Sequence, residues 1–322
     1  MSLRVAMIGD CADEPGAPAS LLELPLRGRG DTVSRFPLDF EAQRVGSAAA
    51  LLRFELAKVR RSFDLLVWCG GAGLGLLLGP VGKLLGAPSL LVLGSDHGPL
   101  TLLERAGVQL ADQAIARDLR GYQALLAAGV PTYRAGLVTG APDPAVFSAR
   151  EAEPKSKERL QLLAILEGPA TPEAASAIAA ALSKQSKLFA EVWAPEPMIS
   201  GLRQDFGALA ARVEVSSPPA PRLRAQRLAA AHLVLSVGAP PEVLREAFAI
   251  GVGALAVAPD PAIAPGVEAV PLDRLAEVLG RTIKDQKLRQ AAQDRARARD
   301  LETGYPAFER AWLRIVDRAA AP

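Results

Sequence analysis

SVGAPPEVLREAFAIGVGALAV, residues 236–257, holds a strand end, a turn, a helix and a second strand in one short stretch. A short apolar run, HLVLSV (232–237), leads into Gly238-Ala239-Pro240-Pro241. Proline lacks an N–H and fixes φ, so the strand stops there. The next segment is helix-like and carries Glu242 and Glu246 one turn apart. Gly251 and Gly253 then punctuate the chain before GALAVA (253–258). A strand, a helix and a second apolar strand in succession make a βαβ unit, whose parallel strands are buried on both faces.

The same alternation extends in both directions. Around it, LQLLAILEG (160–168), FAEVWAP (189–195), RVEVSS (212–217) and GVEAVP (266–271) read as strands. Thr171-Pro172-Glu173 is read as an N-cap, a first-turn proline and an early acid opening a helix. Two further helices are predicted over 285–300 and 305–320, the last with Tyr305, Phe308, Trp312, Leu313 and Ile315 on an apolar side. In the first half, RVAMIG (4–9), DLLVW (64–68), PSLLVLG (88–94), QAIAR (113–117) and TYRAGLV (132–138) are strands. Helical spacing covers 41–61, 99–107 and RGYQALLAAG (120–129), which Gly129 ends. Residues 7–31, MIGDCADEPGAPASLLELPLRGRGD, are Pro- and Gly-rich and show no obvious helix.

The polar run SAREAEPKSKER (148–159) is the linker candidate. The expected architecture is α/β, with two Rossmann-like, doubly wound parallel-sheet domains facing a cleft. The expected divisions are 1–150, 151–303 and a closing helix, 304–322, that crosses back to the first domain.

Composition limits the function. The 322 residues carry 37 Lys and Arg against 35 Asp and Glu, a net +2, and only 5% are aromatic. That near-balance gives no electrostatic footprint for nucleic acid and few stacking platforms, so no nucleic-acid partner is expected. Two histidines and two cysteines, Cys11 and Cys69, leave no metal cluster in prospect, and both cysteines read as buried small hydrophobes. The N-terminus reads as a first strand and not as a secretory signal, which predicts a cytoplasmic protein. GLGLLLGPVGKLLGAPSLLVLG (73–94) imitates a membrane span, but Pro80, Lys83 and Pro88 interrupt it. It reads as helix, turn and strand, so no transmembrane segment is expected.

The order of these pieces resembles family-4-like GT-B glycosyltransferases. DLLVWCGGAGLGLLLGPVGKLLGAPSLLVLGSDHG is similar to the family's acceptor-side core, LADQAIARDLRGYQALLAAGVP to its next unit and VTGAPDPAVFS to the segment before the linker. LAAAHLVLSVGAPPEVLREAFAIGVGALAV resembles the donor-site unit, and LRQAAQDRARARDLETGYPAFERAWLRIV the closing helices. The resemblance implies a hexosyltransferase-type activity with a nucleotide-sugar donor and no other cofactor.

It also assigns residues. Of the family's paired glutamates, the second maps to Glu246, implying contacts with the nucleotide ribose; a carboxylate suits that task because it accepts charge-assisted hydrogen bonds. The first, which contacts the donor sugar, maps to Gly238, which has no side chain. Glu242, one turn before Glu246, is the candidate substitute, with a surface role as its other reading. Where the family places cations for the diphosphate, this chain has Glu167-Gly168. On the acceptor side, Asp96-His97 follows a strand end, and an acid beside a histidine is suited to orienting an acceptor hydroxyl. Cys69-Gly70-Gly71-Ala72-Gly73 reads as close helix–sheet packing, and His232 as structural.

Three readings follow. The expected one is a GT-B protein with a degenerate sugar-nucleotide site and weak or lost transfer. The others are an active retaining glycosyltransferase, and a non-catalytic pseudoenzyme that acts as a scaffold for a protein partner or as a ligand sensor.

Overall fold

Val5, Ala6, Met7 and Ile8 are all buried in the first strand, as in a strand covered on both faces. The computed structural model describes residues 2–9, 18–37, 63–70, 76, 82–83, 85–93, 100–148, 159–238, 241–257 and 268–321. The expected helix over 41–61, Asp96, His97, Cys11, the Gly71–Gly73 loop and most of the proposed linker lie outside the described residues.

The chain divides into one unit of residues 1–140 with 308–322 and another of 141–307. In the first, β1 (Arg4–Gly9), β2 (Thr32–Pro37), β3 (Leu65–Cys69), β4 (Ser89–Val92), β5 (Gln113–Ala116) and β6 (Ala135–Leu137) form a six-stranded sheet in the order β2-β1-β3-β4-β5-β6. All pairings are parallel.

One expectation for this unit is corrected. Residues 7–31 do contain a helix, α1 (Pro18–Arg29), which leads into β2. Leu21, Leu22 and Leu26 recur at helical spacing and are buried. Each buried leucine contributes about 1.5–3 kcal/mol, which together exceeds the ~3 kcal/mol cost of the internal Pro25. Glu23 on the same helix is also buried, and Arg27 and Arg35 hold its charge between them.

Local chemistry shifts another helix. It runs as α2 (Leu102–Leu110) because Thr101 and Glu104 form a capping box, the Thr101 N–H donating to Glu104 Oε2 at 2.8 Å. α3 (Leu119–Ala127) ends before Gly129, whose φ of 83° suits a residue without a side chain.

The closing helix, α10 (Tyr305–Ala320), belongs largely to this unit. Phe308, Trp312, Val316 and Ala319 form its buried stripe, and Trp312 Nε1 donates to the Leu22 carbonyl at 2.9 Å. An Arg29–Asp317 ion pair adds to the contact.

The second unit repeats the plan. β7 (Leu160–Leu166), β8 (Leu188–Trp193), β9 (Val213–Ser216), β10 (Leu233–Val237), β11 (Ala254–Val257) and β12 (Glu268–Val270) are ordered β12-β11-β10-β7-β8-β9, again all parallel. Successive residues of β7 serve opposite faces. Leu162, Ala164 and Leu166 pack with α4 (Thr171–Lys184) and α8 (Leu275–Lys284). Leu163 and Ile165 pack with α6 (Pro221–Ala230) and α7 (Pro241–Ile250). α5 (Glu196–Asp205) and α9 (Gln286–Thr303) are further α-helices of this unit.

Val146 and Phe147 are buried in this second core, so the division at Gly140 falls before the predicted boundary at residue 150. Thr171 is the first residue of α4 and not its cap; its hydroxyl donates back to the Gly168 carbonyl at 2.9 Å. No described helix is long and apolar enough to cross a membrane.

Candidate functional site

In the second sheet the strand order reverses between β7 and β10, and open α/β sheets bind ligands outside the carboxyl ends of such a pair. The residues there are Glu167 and Gly168 after β7 and Gly238 after β10. Gly238 has φ 65°, and a Cβ on it would overlap the Glu167 carbonyl oxygen. The Glu167 N–H in turn donates to the Val237 carbonyl at 2.8 Å. Gly168 is left-handed as well, with φ 82°. The two strand ends thus meet backbone to backbone, and glycine at 238 is a steric requirement of this turn. Burial holds the Glu167 carboxyl above its ordinary range.

Glu246 lies well inside α7, not at its start, and is buried. Its carboxylate is engaged by Arg224 of α6: Nη2 donates to Oε1 at 2.8 Å, and Nε lies 2.7 Å from Oε2. The same guanidinium sits over the Phe147 ring, 5.9 Å from its centroid. Burial raises the Glu246 carboxyl against the opposing pull of Arg224, and Glu242 adds to the rise. Glu242 itself is exposed at the first turn of α7.

α6 repeats this device one turn on. Arg227 Nη1 reaches Oε2 of the buried Glu191 at 3.4 Å, and Trp193 Nε1 donates to Glu191 Oε1 at 2.9 Å. Sequence reading missed Arg224, Arg227 and Glu191. The available signal was an acid inside the apolar run FAEVW and two arginines three residues apart on α6, the helix after the next strand.

His232 accepts the Gln161 N–H on Nδ1 at 3.1 Å, an internal bond between strand ends that fits its structural reading. Asp96 and His97 lie outside the described residues. Among the described residues no cluster of three or more His, Cys, Asp or Glu could hold a metal.

The first sheet repeats the glycine device. Gly9 ends β1 with φ 115°, a Cβ on it would overlap the Cys69 carbonyl oxygen, and Gly70 follows with φ 140°. Close packing at Cys69-Gly70 is therefore present, with Cys69 buried.

Two doubly wound parallel units of this kind define the GT-B fold, and the chain has it. A glycosyltransferase from Rickettsia africae matches with a TM-score of 0.68 at 12% identity, over 99% of this chain and 98% of its own. Anabaena Alr3699/HepE, solved in complex with UDP and glucose, matches with a TM-score of 0.57 at 15% identity, over 98% of this chain and 100% of its own. A putative UDP-N-acetylglucosamine 2-epimerase from Listeria monocytogenes matches with a TM-score of 0.61 at 14% identity, over 98% of this chain and 96% of its own. At these identities the likeness is one of fold, and the fold carries more than one chemistry. No protein-family model and no curated protein matches the chain by sequence.

Proposed function

We propose that this chain is a glycosyltransferase-like protein whose donor site no longer supports ordinary sugar transfer. The observation that carries the reading is the Gly238–Glu167 contact. A side chain at the position that would offer a carboxylate to a donor sugar would have to displace the turn, because the Glu167 carbonyl oxygen occupies the Cβ site. Beside it, where a diphosphate needs cations, stands the half-buried carboxyl of Glu167. The third recognition group, Glu246, already has both oxygens facing Arg224. A carboxylate oxygen has two lone pairs, so Glu246 retains capacity to accept a ribose hydroxyl, and nucleotide binding without efficient transfer is the expected behaviour.

The reading is tested by calorimetry against UDP, GDP, ADP and their sugar conjugates, with donor hydrolysis followed in parallel. Binding of a nucleotide with turnover far below about 1 per second supports it. Turnover at that rate or above overturns it in favour of an active transferase or epimerase. That second reading draws its support from neighbours solved with UDP and glucose or described as an epimerase.

A further inference from the structure

The net charge of +2 hides a segregation of charge in the second unit. Helices that join parallel strands end at the amino edge of the sheet, opposite the turn of Glu167 and Gly238. Glu173, Glu196, Glu242 and Glu277 stand in the first turns of α4, α5, α7 and α8. The amino edge carries cations instead: Arg159 before β7, Lys184 at the end of α4, Lys187 before β8, Arg281 and Lys284 in the last turn of α8, and Lys287 in the first turn of α9. All six are exposed, and none forms an ion pair among the described residues. Described acids on this side are Asp205 at the end of α5, Asp285, which is occupied in capping α9, and Glu214, which lies 3.9 Å from Arg227.

Hydrogen bonds fix these ends beside one another. Arg212, just before β9, donates from Nη1 to the Leu182 and Gln185 carbonyls at 2.8 and 2.9 Å. Gln185 Nε2 donates to the Gly280 carbonyl at 2.8 Å, which joins the end of α4 to α8. The Leu160 N–H donates to the Lys187 carbonyl at 3.0 Å, and the Asp285 N–H to the Arg281 carbonyl at 3.0 Å. Arg159 lies over the Phe189 ring, 3.7 Å from its centroid. The helix dipole accounts for cations at the ends of α4 and α8. It does not account for Arg159 and Lys187, which precede strands, and it opposes Lys287, which sits at the positive end of α9.

We infer that the amino edge of the second sheet is a docking surface for an anionic lipid bilayer. Such docking needs only several long, unpaired basic side chains within reach of the headgroups, and each contributes about fivefold to the partition coefficient. Four of the six are lysines, point charges on flexible stems that can follow a fluid array of headgroups. Other anionic partners fit less well. Phe189 is covered by Arg159 and offers no open face for a base to stack on. Protein interfaces centre on aromatic and apolar anchors, whereas Leu223 and Leu301, exposed apolar side chains of this unit, stand apart from the cluster in the first turn of α6 and the last turn of α9. The docking does not depend on the donor-site reading, because it uses the opposite edge of the sheet.

The test is flotation of the full chain with phosphatidylcholine vesicles, with and without about 30 mol% phosphatidylglycerol, at about 0.1 M salt. The native protein should float with the anionic vesicles, stay behind with the neutral ones, and be released at about 0.5 M salt. The triple variant K184Q/K187Q/K284Q should lose about a hundredfold in partition coefficient, whereas K184R/K187R/K284R, which keeps the charges, should bind as native does. Removing three exposed arginines elsewhere, R222Q/R314Q/R318Q, should leave binding in place. Absence of binding to the anionic vesicles overturns the inference, as do equal binding to neutral vesicles and undiminished binding by the glutamine variant. An equal loss from the R222Q/R314Q/R318Q control overturns the assignment to this edge. Displacement of the protein from vesicles by poly-uridylate, but not by poly-glutamate, at matched charge would assign the surface to nucleic acid and overturns it as well. Should the glutamine variant fail to fold, retention of the native protein on vesicles at the higher salt is the overturning result.

Discussion

Arg224 meets Glu246 at two points, with Nη2 2.8 Å from Oε1 and Nε 2.7 Å from Oε2, and the pair ties α6 to α7 inside the second unit. Removing one member leaves a buried charge without its partner, which costs about 3–5 kcal/mol. Glu246→Ala and Arg224→Met should each destabilise the protein on that scale in denaturant unfolding. Arg224→Met with Glu246→Leu should recover most of the loss, because an apolar pair of similar volume avoids the desolvation cost. A double variant as unstable as the sum of the singles would show that the two residues act independently.

The carboxyls of Glu167 and Glu246 are both held above the ordinary value of 4.5 by burial. Each therefore binds a proton in the folded chain over a pH window where the unfolded chain has released it. The stability so contributed is present below about pH 4.5 and is lost as the pH rises through the folded values. Glu167→Gln has no carboxyl to ionise, so its stability relative to native should increase from pH 4.5 toward 7. Unfolding curves at several pH values read this directly, and parallel pH profiles for the two proteins would contradict it.

Trp312 is fully buried on α10, and its Nε1 closes on the Leu22 carbonyl at 2.9 Å. Trp312→Ala should cost about 3–5 kcal/mol, as for other large-to-small changes in a core. Truncation after residue 303 also removes Phe308, Val316 and Ala319 and should lower the unfolding midpoint further. A truncated protein with an unchanged midpoint would mean that α10 adds nothing to the first core.

The strands were the legible part of this sequence, because parallel strands covered on both faces are continuous apolar runs: LQLLAIL and HLVLSV could be read without a partner in view. α1 was hidden because Pro25 and the flanking glycines argue locally against a helix, while the burial of Leu21, Leu22 and Leu26 that decides the matter is tertiary. Thr171 looked like a cap because capping depends on φ and ψ as well as residue type, and the turn at Gly168 takes its hydroxyl instead. Within the candidate site, Glu246 was visible in the sequence, but its engagement was not. Its partner lies 22 residues earlier on another helix, and only the packing of α6 against α7 brings them together.

Gly238 is the position at which chemistry and sterics are most tightly linked. Its φ of 65° is a left-handed conformation that side-chain-bearing residues occupy at a cost of about 1–3 kcal/mol, and the Glu167 carbonyl oxygen fills the space a Cβ would need. Gly238→Ala should therefore lower stability by at least that amount. Gly238→Glu should do so as well, and it should not create transfer activity. Its carboxylate would arrive only by displacing the β7–β10 turn on which any nucleotide site here depends, and Glu167 would still oppose the diphosphate. Restoring a single charge-stabilising group is worth about 3 kcal/mol in favourable cases, some hundredfold in rate, and only when the surrounding geometry is already in place. The measurement is transfer and hydrolysis across a panel of nucleotide sugars for native and G238E protein, with thermal unfolding alongside. A stable G238E variant that turns over a hundredfold faster than native would show that the glycine is an eroded catalytic position and not a requirement of the turn.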